Sequence, residues 1–584
     1  MERLAIPAAL PPLPAAWLAG RDRDLLAPLT LATLGAALPP PPRVDRREVA
    51  RGLERANRSY GHPRAGEIAA RLADPATHVV IGGQQPGLFG GPLLALLKMV
   101  GAGRWAEELA RAGELAARLA DPVTRVVIGG QQPGLFGGPL LALLKMVAAG
   151  RWAEALARAG EPAVALFWVA TEDHDWDEAS WAAVWTAEGE RRVDLGPDPS
   201  PLVPLGMRTL GPGVAEVLAT LRALFPYEPY ASWVETMARW YRPDARFGEA
   251  FCRLAVALLG ERCPLLVDAQ LPELKAAQRP LLARLVERRA EVGEALARAE
   301  AAITGRGYPL QVAPQPGTAP LFALAGAERR RVTWTGEDGW ALRGARGGGE
   351  GAAESRSVAE LLALIEGNPA AVSPNVLSRP PLQDAVLGTS VQVMGPGEMS
   401  YLAQAAPLYA LLDVQPPAVA PRPRALVLED KQLAALRQTS LEPRLLLAPA
   451  VEVERALAAR LDGDPVAPAQ ARALAELAAL REAAVALDPN LERPWEKTQE
   501  QVKTAFERFA EKLTRARAQR DEVAQRRLAA LRDYAAPGGV LHERVLCAGH
   551  FRGRFGESFA DALWEQLDLS TTDVQLLRAP EAPR

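Results

Sequence analysis

Cysteine is nearly absent: Cys252, Cys263 and Cys547 are the three in 584 residues, an odd and widely spaced set. That excludes a disulfide framework and a four-thiolate zinc site. Histidine is almost as sparse. His62, His78, His174, His542 and His550 form no HExxH pattern and have no cysteine pair beside them, so no structural metal is expected. Basic charge is not in excess either: the formal net charge is -3, with Lys and Arg scattered among acids, which argues against a nucleic-acid partner. No apolar run approaches the roughly 20 residues that span a bilayer. Met1 to Leu10 also lacks the basic start and apolar stretch of a secretory signal, so a cytoplasmic location with no membrane partner is expected.

What is present begins with a duplication. The segment VVIGGQQPGLFGGPLLALLKMV occurs at Val79 to Val100 and again at Val126 to Val147 without a difference. The likeness extends, with a few substitutions, over Gly66 to Glu114 and Gly113 to Glu161, a constant offset of 47. Two copies with no third do not make a solenoid. They read as a tandem duplication of one βα unit, spanning 66–161, inside an α/β domain.

Each copy runs from a short apolar strand (Val126 to Ile128 in the second) through a glycine-rich turn into a helix opened by Pro139. Ala163 to Ala170, AVALFWVA, is the next strand and is apolar on both faces, as in a parallel sheet covered on both sides. Pro264 to Ala269 and Ser390 to Met394 read as further strands of the same sheet, and Arg331 to Thr335 with Trp340 to Arg343 as an inserted β-hairpin. From about Leu426 the pattern turns helical. Leu474, Leu477 and Leu480 share a face, Asp488 to Asn490 makes a turn, and Val502, Phe506, Phe509, Leu513 and Ala516 follow a heptad seam that needs a partner helix. The expected organisation is a Rossmann-like open parallel sheet with insertions over 1–425, then a helical coiled-coil domain over 426–584 whose last segment returns to the core.

Three stretches could carry chemistry. In a parallel sheet ligands bind at the carboxyl ends of strands, where GGQQPGLFGG sits: Gly129, Gly130 and Gly134 let backbone approach an anion, and Gln131 and Gln132 can donate and accept. The string lacks both the P-loop Lys and the dinucleotide spacing, and a tight turn would need the same small residues. Glu172, Asp173, His174 and Asp175 end the strand Ala163 to Ala170. They could orient a general base, hold a magnesium ion or stabilise a charged intermediate; acids there also suit a helix N-terminus. The third stretch runs from Ser373 to Gln404 and offers Ser373, Asn375, Arg379, Gln383, Gly395, Gly397, Glu398, Tyr401 and Gln404 as binding candidates. Arg379 brings a rigid five-donor fork for carboxylate or phosphate, while Glu398 could be only a first-turn acid.

Taken together, GQQPGLFGGP, FWVATEDHDWDE, LVDAQLPELK, SPNVLSRPPLQD, GPGEMSYLAQ and the tail LHERVLCAGHFRGRFGESFADALWEQLD resemble the BshC family of bacillithiol-biosynthesis cysteine-adding enzymes, over nearly the whole chain and in the family's order. The resemblance implies a Rossmann-like core similar to class I aminoacyl-tRNA synthetases, a coiled-coil domain used for homodimerisation, and a ligase that joins L-cysteine to glucosaminyl-malate. Two departures stand out: the GQQ unit is doubled, and Gly130, like Gly83, replaces the hydroxyl residue that usually precedes it. Amide formation from a carboxylate near neutral pH needs activation, so ATP is expected, with Mg2+ compatible. In that scheme Gln131, Gln132, Glu172, Asp173 and His174 carry the reaction. Alternatives are an amide ligase for another amino sugar, or a nucleotide-binding dimeric scaffold without independent catalysis. The second copy leads directly into AVALFWVA, so it is expected to work, leaving Val79 to Val100 as a peripheral βα element.

Overall fold

The computed structural model describes the chain except residues 1–4, 8–9, 28, 33–44, 74–77, 82, 85–124, 132–133, 160–162, 344–354, 440–441, 451, 454–455, 457–465 and 582–584; at a few further positions, Gln131 among them, only the backbone is described. Tertiary contacts divide it into two units, Met1–Leu428 with Val540–Arg584, and Glu429–Gly539.

In the first unit eight described strands form the central sheet: β1 (Thr30–Leu31), β2 (His78–Ile81), β3 (Gly83–Gln84), β4 (Arg125–Gln131), β5 (Ala163–Val169), β6 (Leu265–Asp268), β7 (Thr389–Met394) and β8 (Ala418–Pro421). Their order is β1-β8-β7-β2-β4-β3-β5-β6 and all pairings are parallel. The strands expected at Val126, Ala163, Pro264 and Ser390 are β4, β5, β6 and β7. Burial explains their composition. Leu166, Phe167, Trp168 and Val169 of β5 and Val391, Val393 and Met394 of β7 are almost wholly removed from water, at roughly 1.5 to 3 kcal/mol for each large apolar side chain.

The peripheral placement expected for the first copy is not what the structure shows. Strand β2 lies inside the sheet, bonded to β7 on one side, with Val79 opposite Thr389. Both copies also meet β5 in one register: Val79 and Val126 both face Val164, and Gly83 and Gly130 both face Trp168. The physical reason is the identity itself, because equal sequences carry equal strand propensity and claim equal backbone register. A strand has two edges and neighbours sit about 4.8 Å apart, so the interior position beside β5 has two equally qualified claimants. A chain lacking residues 67–113 is therefore expected to keep a complete sheet and unfold cooperatively at the same or a higher Tm. Loss of a cooperative melt by circular dichroism would show that both copies are needed. Of the first copy, residues 74–77, 82 and 85–114 lie outside the described residues.

The turn after β4 explains its glycines. Phe136, Gly137 and Gly138 all have positive φ, and a Cβ on Gly137 would stand 2.7 Å from Leu254 Cδ2. The turn feeds the helix α1 (Leu140–Arg158), capped by Pro139. The expected hairpin is present as Glu328–Thr335 and Gly339–Arg343, but within a five-stranded antiparallel sheet that also holds Thr318–Ala325, Arg356–Ser357 and Val372–Pro374. Helix begins slightly later than expected. Arg424–Leu428 is a strand paired in parallel with Val574–Arg578, which also bonds Ala5–Ile6.

In the second unit, Val466–Leu487 and Glu492–Ala535 form a helical hairpin turned at Asp488, which caps Asn490. Trp495 Nε1 donates to Leu477 O at 2.9 Å, and Arg481 pairs with Glu492. No helix among the described residues is long and apolar enough to cross a membrane.

Candidate active site

A cavity of about 770 Å3 opens at the carboxyl ends of β5 and β7. Residues following β5 supply Glu172, Asp173 and His174; those following β7 supply Gly395, Gly397, Glu398 and Tyr401. The antiparallel sheet closes the other side. Its strand register sets Phe322 opposite both Ser373 and Arg331, and alternation along the strand turns Arg329 and Arg331 to one face, both lining the cavity.

His174 is the centre of this wall. Its Nδ1 lies 3.4 Å from an Arg329 guanidinium nitrogen, and its ring meets Phe322 edge-on at 5.9 Å. Burial, and next the Arg329 charge, hold the imidazole below its ordinary pKa against the opposing pull of Asp173. It is a neutral base at physiological pH. Arg329 is itself buried and oriented by three contacts: Nε donates to Ser373 Oγ at 2.9 Å, a second nitrogen donates to Pro374 O at 2.8 Å, and the guanidinium lies 3.8 Å over Phe322.

The neighbouring acids have separate tasks. Glu172 is joined to Lys275, which also donates to Val372 O at 2.9 Å. Asp173 accepts from the His174 backbone N–H at 2.7 Å, and Asp175, outside the cavity wall, caps Trp176–Ala179 by accepting from Glu178 N. They do not gather round one point. Among the described residues no group of three or more His, Cys, Asp or Glu side chains is placed to hold a metal ion.

Glu398, which also lines the cavity, caps its own helix α2 (Pro396–Leu412), accepting from Gly395 N at 2.7 Å, and is paired with Lys145. A Cβ at Gly395 would stand 3.1 Å from Glu398 Oε2 and 3.3 Å from Arg422 Nε, so a larger residue there would push on both side chains. Lys145, wholly buried on α1, donates to the Gly130 carbonyl as well, tying the glycine-rich loop of the second copy to Glu398. Burial brings this ammonium down to about 8 despite Glu398. Arg379 donates to Gln383 at 2.8 Å and to the Tyr401 hydroxyl at 2.9 Å, so two of its donors hold it facing the cavity.

The structure thus brings His174, Asp173, Glu172, Asn375, Arg379, Gly395, Gly397, Glu398 and Tyr401 into the lining of one cavity. Ser373 and Gln383 stand behind it as supports for Arg329 and Arg379. Gln404 clamps Val312 through both backbone groups at 2.9 Å, positioning a loop that lines the cavity. Gly134 borders a different, smaller cavity, Gly129 and Gly130 lie on β4, and the side chain of Gln131 and all of Gln132 lie outside the described residues. Sequence reading missed Arg329, Arg331, Arg422, Arg544, Lys145 and Lys275. Lys145 had a visible signal, one lysine in the apolar helix LLALLKMV. The arginines had none, being a few among many.

Five arginines, 329, 331, 379, 422 and 544, therefore reach one cavity whose Glu172 and Glu398 carboxylates already have lysine partners. Such a wall suits a ligand bearing carboxylates or phosphates. The thiols are no part of it. All three are buried and free, and burial pushes Cys547 up to about 12.

Comparison with known proteins gives a consistent answer. The family model for the N-terminal Rossmann-like domain of bacillithiol biosynthesis BshC matches residues 40–116 and 107–423, two overlapping pieces, and that for the BshC C-terminal coiled-coil domain matches 425–579. A protein of Solibacter usitatus named "Putative cysteine ligase BshC" is 30% identical over 87% of this chain and 86% of its own length. Proteins of the same name from Salinibacter ruber (30% identical, 87% and 84% covered) and Thermus thermophilus (31%, 69% and 80%) are similar to it too.

Proposed function

The chain belongs to the BshC family of bacillithiol-biosynthesis ligases, and from that premise we propose that it joins the carboxylate of L-cysteine to the amine of glucosaminyl-malate after activation by ATP. The observation that carries the chemistry is a neutral His174, held by Arg329, in an arginine-walled cavity at the strand ends. The cysteine carboxylate attacks a phosphorus of ATP and a phosphoanhydride bond breaks: attack at the γ-phosphorus releases ADP and gives an acyl phosphate, attack at the α-phosphorus releases pyrophosphate and gives an acyl adenylate. The sugar amine then attacks the acyl carbon, the acyl–oxygen bond breaks, phosphate or AMP leaves, and the proton shed by the amine passes to His174. Charge builds on the carbonyl and phosphoryl oxygens. Arginine donors set in advance at that charge are worth about 2.7 to 4 kcal/mol each by analogy with oxyanion holes. Any Mg2+ would arrive with the nucleotide.

Purified protein given ATP, cysteine and glucosaminyl-malate should release bacillithiol, seen by mass spectrometry, together with AMP or ADP, which names the activation route. Product formed equally without nucleotide would sink the ATP step, and none under any condition would sink the ligase reading. His174→Ala should lose about 100- to 10,000-fold in turnover at unchanged Tm.

We further propose a homodimer through the helical hairpin. Leu480, Leu487 and Phe509 are 61%, 84% and 59% exposed there, and a second copy of the chain supplies the partner face that their spacing calls for. Phe509→Asp should shift sedimentation from dimer to monomer. A cytoplasmic setting, which supplies ATP and thiols, accords with this reading.

A further inference from the structure

A second cavity, about 90 Å3, lies beside the glycine-rich turn of the second copy. Leu135, Pro139, Trp181, Ala182, Val545 and Cys547 give it an apolar lining, and it has two charged residues, Glu178 and Arg544. Neither charge is taken up by a salt bridge among the described residues. Arg544 alone belongs to both cavities and so marks where the small one meets the large one.

One acid, one guanidinium and a small apolar space match the three parts of a short α-amino acid: ammonium, carboxylate and side chain. We propose that this cavity is the cysteine subsite, with the ammonium at Glu178, the carboxylate at Arg544, and the CH2–SH group between Trp181, Val545 and Cys547. The assignment rests on the ligase reading and deepens it. It puts the reacting carboxylate at the residue that faces the large cavity, where the amine acceptor has room, and keeps the amine of cysteine away from the activated acyl group. The cavity's volume admits a short side chain and leaves no space for a long or aromatic one. Sulfur against the Trp181 ring is a favourable contact for the thiol. The surroundings of Glu178 agree: desolvation, then Asp175 and Asp173, push its carboxyl up to about 7 against the smaller opposing pull of Arg544, so the spot is short of water and the acids outweigh the one guanidinium. A cation entering there is stabilised, and in turn keeps Glu178 ionised.

The test uses the full-length protein, measuring KM for L-cysteine and for glucosaminyl-malate, with 3-sulfanylpropanoate (no ammonium) and cysteamine (no carboxylate) as competitors. In the wild type both fragments should compete at least tenfold more weakly than cysteine binds. Glu178→Gln should raise KM for cysteine at least tenfold, leave KM for glucosaminyl-malate within twofold, and erase the preference for cysteine over 3-sulfanylpropanoate. Arg544→Gln should erase the preference over cysteamine. The unchanged KM for the sugar serves as the folding control. If both variants ligate with wild-type KM for cysteine, the subsite is wrong while the ligase reading stands. If the wild type makes no product, calorimetric titration with L-cysteine decides the subsite alone: binding that is lost in Glu178→Gln upholds it, and no binding to the wild type overturns it.

Discussion

Arg329→Gln is expected to cut turnover about 100- to 1,000-fold and to move the acid limb of the pH–rate profile upward. The guanidinium has three separate attachments, to Ser373 Oγ, to Pro374 O and over the Phe322 ring, and the end not used in them lies against His174. It therefore supplies charge to the cavity and lowers the basicity of the imidazole. The sign follows. His174 has to be neutral to accept a proton, so the wild-type rate falls as pH drops through a pKa held below 6.5 by burial and by Arg329. Without that positive charge the pKa rises, and the fall begins at higher pH. Arg329→Lys keeps the charge but not the planar fork, so it should leave the limb near the wild-type position while recovering only part of the rate. A limb that stayed in place in Arg329→Gln would mean that Arg329 does not act through His174, whatever the rate.

Lys145→Met should destabilise the protein by about 3 kcal/mol and abolish ligation, whereas Lys98→Met, at the equivalent position of the first copy, should change neither. Removing one member of a buried ion pair strands the other, at roughly 3 to 5 kcal/mol; Glu398 keeps a fifth of its side chain exposed, so the lower end applies. Methionine also leaves the Gly130 carbonyl without its donor and unties the loop from Glu398. Because both copies fit β5 in the same register, the pair of variants also reads out which copy is used. If Lys145→Met were mild and only the double variant failed, Lys98 would have taken over and the copies would be interchangeable. If Lys98→Met alone were damaging, the assignment to the second copy would be reversed. Thermal melts and the ligation assay distinguish all three results.

Much of the site was legible because its backbone signals are local. A doubly apolar strand ending in Glu172-Asp173-His174-Asp175, and Gly395-Pro396-Gly397-Glu398 turning a strand into a helix, are each written within about a dozen residues. Both lie where strand and helix meet. Their individual duties were not legible in the same way. Asp175 turned out to cap a short helix and Glu172 to bind Lys275, 103 residues away. Arg329 sits in Glu328-Arg329-Arg330-Arg331, where composition cannot say which arginine faces inward. The structure turns Arg329 and Arg331 to the cavity and pairs Arg330 with Glu328.

By itself the sequence determined the strand and helix segments, the parallel sheet, the glycine turn and the identity of the two copies, because propensity and period act between near neighbours along the chain. Tertiary structure alone decided that the first copy's strand lies inside the sheet, that Lys145 meets Glu398 across 253 residues, and that five distant arginines share one cavity. Those outcomes depend on which edges and charges remain to be satisfied once the chain has folded back on itself. No window of sequence contains that information, since the partners that settle it come from other strands.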